Sequence, residues 1–357
     1  MACCRGEMKK HRIAALLITN RSDHFYLTGF NGEDSAALIT ARDVHVITDG
    51  RFDESAKQEA PWAKKWLRKE TLIEEIGQVV ARLRLRALFV QQEKLTVADH
   101  AALKRAVRTV RLQEAPPLAQ QMRRLKSSSE SRLLQKAIRI AEDAFVETIR
   151  GIRLGMTELE LAARLEYEMK RRGATGLSFP TICAEGLNAA LPHAEPGGRK
   201  VRPGSAILFD WGARWHGYCS DLTRVVFVGS IRPTLREVYR LVLEAQKRAI
   251  QAIRPGRRMC DVDAVARDYI AAAGFGKEFN HGLGHGLGLN VHEAPSLSWR
   301  SDEKLAAGMV VTVEPGVYLP GVGGVRIEDD VLVTKGGSRV LSRLDKRLES
   351  AVLRGIV

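Results

Sequence analysis

Four acidic residues sit where the chain otherwise reads as apolar strand. Asp210 closes AILFD, Glu314 closes MVVTVE, Glu328 falls within VRIEDDVLV, and Asp221 stands directly before LTRVVFV. A carboxylate in such a place is costly to bury without a cation or hydrogen-bond donors. One alone reads as a satisfied core group, but four in the same part of the chain ask for a shared counter-charge. A histidine cluster accompanies them in HGLGHGLGLNVHEAP, with His281, His285 and His292. No GK[ST] follows, which excludes a phosphate loop, and Gly282 stands where a zincin HExxH needs glutamate. One imidazole with four carboxylates suits hard, oxygen-preferring ions. That means a pair of divalent metals, Mn²⁺ first, with Co²⁺ or Zn²⁺ also fitting. Two ions about 3.5–4 Å apart, bridged by carboxylates, are an arrangement for hydrolysis. The residues therefore predict a dinuclear hydrolase.

Such a set needs strands to present it and helices to back the strands. Ser127 and Glu130 have capping-box spacing ahead of a helical pattern that runs to Ile149. Thr157 and Glu160 repeat the signal ahead of a helix that stops at Gly173, and Thr234 with Glu237 opens a third that runs to Ile253. A fourth starts near Asp261 and ends at Gly274. Each helix pair is followed by strand-rich sequence: TICAEG, AILFDWGA and RVVFVG after the first, MVVTVEPG and VRIEDDVLVT after the second. This is a weak duplication of helix–helix–sheet type. The first 115 or so residues differ. AALLIT, ALIT, VHVITD and LRALFVQ read as strands, YLTGF and NGED as turns, and Arg51–Lys69 as a helix broken at Pro61. Pro116 and Pro117 punctuate the chain, so a boundary is expected near residue 118.

Length and composition agree with two domains in 357 residues. Hydrophobic residues at 45% exclude a disordered chain, and no apolar run approaches the roughly 20 residues of a membrane span. The net charge of +14 admits nucleic acid as a partner, but no block of five or six like charges appears, which weighs against it. Five scattered cysteines (Cys3, Cys4, Cys183, Cys219, Cys260) and a short N-terminal apolar stretch without a cleavage site predict free thiols in the cytoplasm.

The motifs DWGARWHGYCSD, GLGHGLGLNVHE, VTVEPGVY and GVRIEDD resemble the pita-bread metallopeptidases, the family of methionine aminopeptidase, aminopeptidase P and prolidase. YLTGF and ITDGRFDESA look like the N-terminal domain of aminopeptidase P, prolidase and creatinase, which methionine aminopeptidases lack. The resemblance implies a creatinase-like α/β domain over 1–118. It also implies an α+β pita-bread catalytic domain over 119–357, whose pseudo-twofold symmetry fits the duplication. By resemblance, Asp210 chelates one metal, Asp221 and Glu328 bridge the two, and His285 and Glu314 complete the other. Glu314 also shuttles a proton, and His292 stabilises the tetrahedral intermediate. His193 contacts the substrate backbone, His281 and Tyr318 line a proline pocket, and Arg326 meets the far side or carboxylate of the substrate or partners the buried carboxylates. Asn290 and Trp211 depart from the family pattern: the first touches charge behind the metals, the second only packing. The implied activity is aminopeptidase P, releasing the residue before proline from proline-containing peptides. The alternative is prolidase, restricted to Xaa-Pro dipeptides, and behind both stands a non-catalytic binding protein. A homodimer is also implied.

Overall fold

A computed structural model describes residues 1–356 and divides the chain into two compact units, Met1–Arg123 and Arg124–Val357. The first unit is built on a six-stranded mixed sheet. Its order is Lys64–Leu67, Val44–Thr48, Ala36–Thr40, Ala15–Ile18, Ala87–Val90, Arg111–Glu114. Strand Ala15–Ile18 is central and wholly buried. Its alternate residues feed two cores, Leu16 and Ile18 into one and Ala15 and Leu17 into the other, as a two-residue period requires.

The structure differs from the sequence reading at three places in this unit. A helix, Ala2–Lys10, precedes the first strand. Most of YLTGF lies in helix Arg21–Thr28, because the Asn20 side chain caps its start and Gly29, at φ +80°, ends it. Past Pro61 the chain forms the edge strand Lys64–Leu67 rather than more helix. The two compact units divide after helix Leu118–Arg123, a few residues past the boundary expected near residue 118. Fully buried Asp23 accepts from Arg123 Nη1 at 2.6 Å and from Gln91 Nε2 at 2.8 Å, tying that helix to the first unit.

In the second unit the helix–helix–sheet pattern occurs twice. Helices Ser128–Arg150 and Glu158–Arg171 precede antiparallel strands Ile182–Glu185, Ala206–Trp211 and Leu222–Val228. Helices Pro233–Ala252 and Met259–Ala272 precede a five-stranded sheet. Its order is Glu293–Leu297, Gly284–Gly286, Val310–Val313, Asp329–Thr334, Gly337–Val340. The capping boxes at Ser127 and Thr157 form. The one expected at Thr234 does not, because Pro233, which needs no N–H partner, occupies the first turn. Trp211 stacks on Phe145 with ring centroids 4.4 Å apart and donates to Ala141 O at 3.0 Å, so its role is packing. All five cysteines are free thiols. Among the described residues no helix is long and apolar enough to cross a membrane.

Candidate metal centre and active-site cavity

Both halves of the second unit supply the acidic residues. Asp210 lies on strand Ala206–Trp211, opposite Thr223 of the neighbouring strand, and Asp221 stands just before that neighbour. From the other half come His285, on strand Gly284–Gly286, and Glu314, one residue past Val310–Val313. Glu328 is not inside one continuous strand as the sequence suggested. It sits in a break, because Gly323–Arg326 pairs in a separate two-stranded hairpin while Asp329–Thr334 joins the five-stranded sheet. The break frees the Glu328 side chain from the alternation of either strand.

Ligand atoms of Asp221, His285 and Glu328 lie within 4.8 Å of one another. His285 Nε2 is 3.3 Å from Glu314 Oε1 and 3.5 Å from Asp221 Oδ2. Its Nδ1 lies 3.2 Å from Gly286 O, which in the neutral ring places the proton on Nδ1 and leaves the Nε2 lone pair facing the carboxylates. Thr223 Oγ1 donates to Glu328 Oε2 at 2.6 Å. Thr312 Oγ1 donates to Glu314 Oε1 at 3.2 Å and accepts from the His285 backbone N–H at 3.0 Å. Asp210 Oδ2 accepts from Arg326 Nη2 at 2.5 Å, whereas its Oδ1 is buried without a partner. The glycine at 284 is obligatory here: a Cβ would lie 2.1 Å from Thr312 O.

Electrostatics point the same way. Burial, reinforced by neighbouring carboxylates, raises Asp221 and Glu328 well above the usual carboxylate range. Burial raises Asp210 too, against the pull of Arg326. For Glu314 burial is outweighed by His285, His281 and Arg326, which hold it down to about 2, and His285 is raised in turn because Glu314 overcomes its burial. Four carboxylates, Asp221 and Glu328 buried and Asp210 and Glu314 partly so, thus face the His285 imidazole and the Arg326 guanidinium. The missing positive charge and the orphaned Asp210 oxygen fit a divalent cation held by these residues.

All ten residues singled out in the sequence line one cavity of about 1370 Å³: His193, Asp210, Asp221, His281, His285, His292, Glu314, Tyr318, Arg326 and Glu328. The His292 ring meets His285 edge-on at 4.4 Å, and burial together with His285 lowers its pKa. Arg326 is buried and committed. Besides Asp210 it donates to Tyr318 Oη at 2.7 Å, Thr223 Oγ1 at 3.1 Å and Pro192 O at 3.3 Å. Tyr318 Oη accepts from Arg326, so its own proton goes to His281 Nε2 at 2.9 Å, and His281 Nδ1–H donates to Gly282 O at 2.8 Å. Both His281 nitrogens are therefore engaged within the protein, and the ring offers the cavity a face rather than a polar atom.

Other residues that hold the site carry no sequence signal of that role. Thr223 and Thr312 read as ordinary strand threonines. Asp329 is buried and bound to Arg224 Nη2 at 2.8 Å and to Lys346, and these two cations hold its carboxyl below the usual range despite burial. Asp330 Oδ2 accepts from the Asp221 backbone N–H at 3.2 Å. Glu158, in the first turn of a capped helix, reads as a surface acid but is fully buried against the segment that carries His193.

Residues 132–335 match metallopeptidase family M24, and residues 2–125 match the creatinase/prolidase N-terminal domain. The chain belongs to metallopeptidase family M24. It is 35% identical to an Xaa-Pro dipeptidase of Pyrococcus horikoshii, over 96% of both chains. Among solved structures, an Xaa-Pro dipeptidase from Bacillus anthracis has a TM-score of 0.94 at 38% identity, covering 99% of this chain and 98% of that one. An X-Pro aminopeptidase from Thermotoga maritima has a TM-score of 0.90 at 37% identity, covering 97% and 100%. The fold is thus a creatinase-type N-terminal domain followed by the M24 pita-bread domain, whose pseudo-symmetry is the duplication described above.

Proposed function

We propose that this M24 protein is a metal-dependent Xaa-Pro dipeptidase. The observation that carries the reading is near full-length similarity to proteins named Xaa-Pro dipeptidase, in sequence and in structure. It reverses the order suggested by the motifs alone, which put aminopeptidase P first. The aminopeptidase reading keeps two supports: the Thermotoga maritima neighbour, and a cavity larger than the roughly 300–1,000 Å³ of common ligand sites.

In the proposed assignment Asp210, Asp221, His285, Glu314 and Glu328 hold two divalent ions, Mn²⁺ first. Bound ions supply Lewis acidity and a water acidic enough to act as nucleophile near neutral pH. The chain's own residues do the rest. Glu314 accepts the proton released at the nucleophile and passes it to the prolyl nitrogen, which leaves only once protonated. His292, neutral near pH 7 because its pKa is lowered, donates an N–H to the scissile carbonyl oxygen as negative charge builds there. His193 holds the substrate backbone. The His281 and Tyr318 rings form a wall for the prolyl ring, whose tertiary amide has no N–H to satisfy. Arg326 fixes the free rotation of Asp210 and so aims its orphaned oxygen.

The test compares Ala-Pro with Ala-Pro-Ala on Mn²⁺-loaded protein, with a chelator control. Chelator-sensitive cleavage of the dipeptide alone is expected. Cleavage of the tripeptide at its first bond would establish the aminopeptidase reading instead, and activity on neither would overturn both.

A further inference from the structure

Helix Pro233–Ala252 buries an apolar side that includes Val238, Val242, Ala245 and Ala249, and within it lies one amide, Gln246, with no exposed surface. Gln246 Nε2 lies 3.2 Å from Val313 O, 3.2 Å from Ile327 O and 3.1 Å from Asp329 Oδ2. Its Oε1 accepts from Lys346 Nζ at 2.7 Å. The orientation of the amide is forced. Turned over, it would aim its N–H groups at an ammonium and its oxygen at three acceptors.

The two carbonyls belong to the residues immediately before Glu314 and Glu328. Val313 and Asp329 form the last pair of their ladder, and beyond it the chains part. The Glu314 N–H then goes to Leu283 O, while the Glu328 N–H goes to Thr223 O in the other half of the domain. At that fork one side chain gathers both diverging segments. Asp329 anchors the same point through Arg224, which also donates to Glu328 O at 2.5 Å. Gln246 touches neither the cavity nor any of the five carboxylate and imidazole groups.

We propose that Gln246 is a positioning residue that sets the separation of Glu314 and Glu328 and thereby the metal affinity of the centre. The inference rests on the reading of these residues as metal ligands. Removal of the amide deletes no ligand but lets the backbones that carry Glu314 and Glu328 drift apart. Metal affinity therefore falls, while chemistry on the loaded enzyme survives.

The experiment titrates Mn²⁺ alone into metal-free wild type, Gln246→Met and Asp221→Ala, using calorimetry on the full chain, and then measures kcat and KM on Ala-Pro across Mn²⁺ concentrations. Methionine fills the same space without hydrogen bonds. A tenfold or greater loss of Mn²⁺ affinity is expected, as for other residues that orient ligands. At saturating Mn²⁺, kcat should return to within about threefold of wild type and KM should not change. A lower melting temperature with Mn²⁺ affinity within threefold of wild type would reduce Gln246 to a packing role and overturn the proposal. Equal binding by wild type and Asp221→Ala would instead overturn the metal assignment beneath it. If the methionine variant does not fold, Gln246→Asn, which withdraws the amide by one methylene, is read by the same criteria.

Discussion

Glu158 offers a sharp test of how the cavity wall is held. Its carboxylate is wholly buried and meets N–H donors. Oε1 accepts from Glu185 N at 2.6 Å and Asn188 Nδ2 at 2.9 Å, and Oε2 accepts from Gly197 N at 2.9 Å and Asn188 Nδ2 at 3.1 Å. These contacts fasten both ends of the segment from which His193 projects. Glu158→Gln keeps the shape but exchanges one oxygen for NH₂, which must face the N–H of either Glu185 or Gly197. At least one charge-assisted bond, about 1.5–3 kcal/mol, is lost and one buried N–H is left without an acceptor, about 1–3 kcal/mol. Relief of charge burial offsets part of this, which leaves a destabilisation of roughly 2–4 kcal/mol. For a unit of this size the melting temperature should fall by roughly 4–16 °C. Differential scanning calorimetry of the metal-loaded protein measures it. On Ala-Pro, KM should rise severalfold as the His193 segment loosens, with Mn²⁺ affinity unchanged because its partners Glu185, Asn188 and Gly197 are neither proposed ligands nor their chain neighbours. A melting temperature within about 1 °C of wild type and an unaltered KM would refute the claim that this carboxylate holds the wall.

Three further outcomes are expected. Asp221→Ala and Glu328→Ala should each abolish peptidase activity together with Mn²⁺ binding, measured by metal analysis after desalting, and full activity in either would sink the bridging assignment. His292→Ala should retain its metal but lower kcat by at least an order of magnitude, as loss of a transition-state hydrogen bond does, and an unchanged kcat would remove that role. In the N-terminal unit, burial pulls His24 down to about 4, against its contact with Phe30 O at 3.1 Å. The folded state then binds fewer protons than the unfolded state between about pH 6.5 and 4. Its stability is complete above that window and declines by about 3 kcal/mol as pH falls through it. His24→Phe should flatten this slope in thermal unfolding followed from pH 7 to 4, and an identical slope would exclude His24 as its source.

Much of the chemistry was legible because it rests on residue types that strands do not otherwise tolerate. Acids at Asp210, Asp221, Glu314 and Glu328 contradict their apolar surroundings, and that contradiction is visible without coordinates. The paired helices and the capping boxes at Ser127 and Thr157 were legible too, because a cap is a contact between residues three apart. Less visible was anything that depends on partners far along the chain. Helix Ala2–Lys10 carries no first-turn acid and no side-chain cap, and Lys64–Leu67 becomes a strand only by pairing with Val44–Thr48. The break at Ile327–Glu328 exists because the flanking strands enter different sheets, a fact that no local pattern encodes. Similarly, Glu158 and Gln246 are ordinary helix residues by sequence, and their partners lie 27 to 39 and 67 to 100 positions away. Sequence by itself marked which groups the candidate centre would gather, since ionisable side chains announce their own cost of burial. Tertiary structure alone decided how they are aimed, since a hydrogen bond between distant residues leaves no trace in the pattern of either segment.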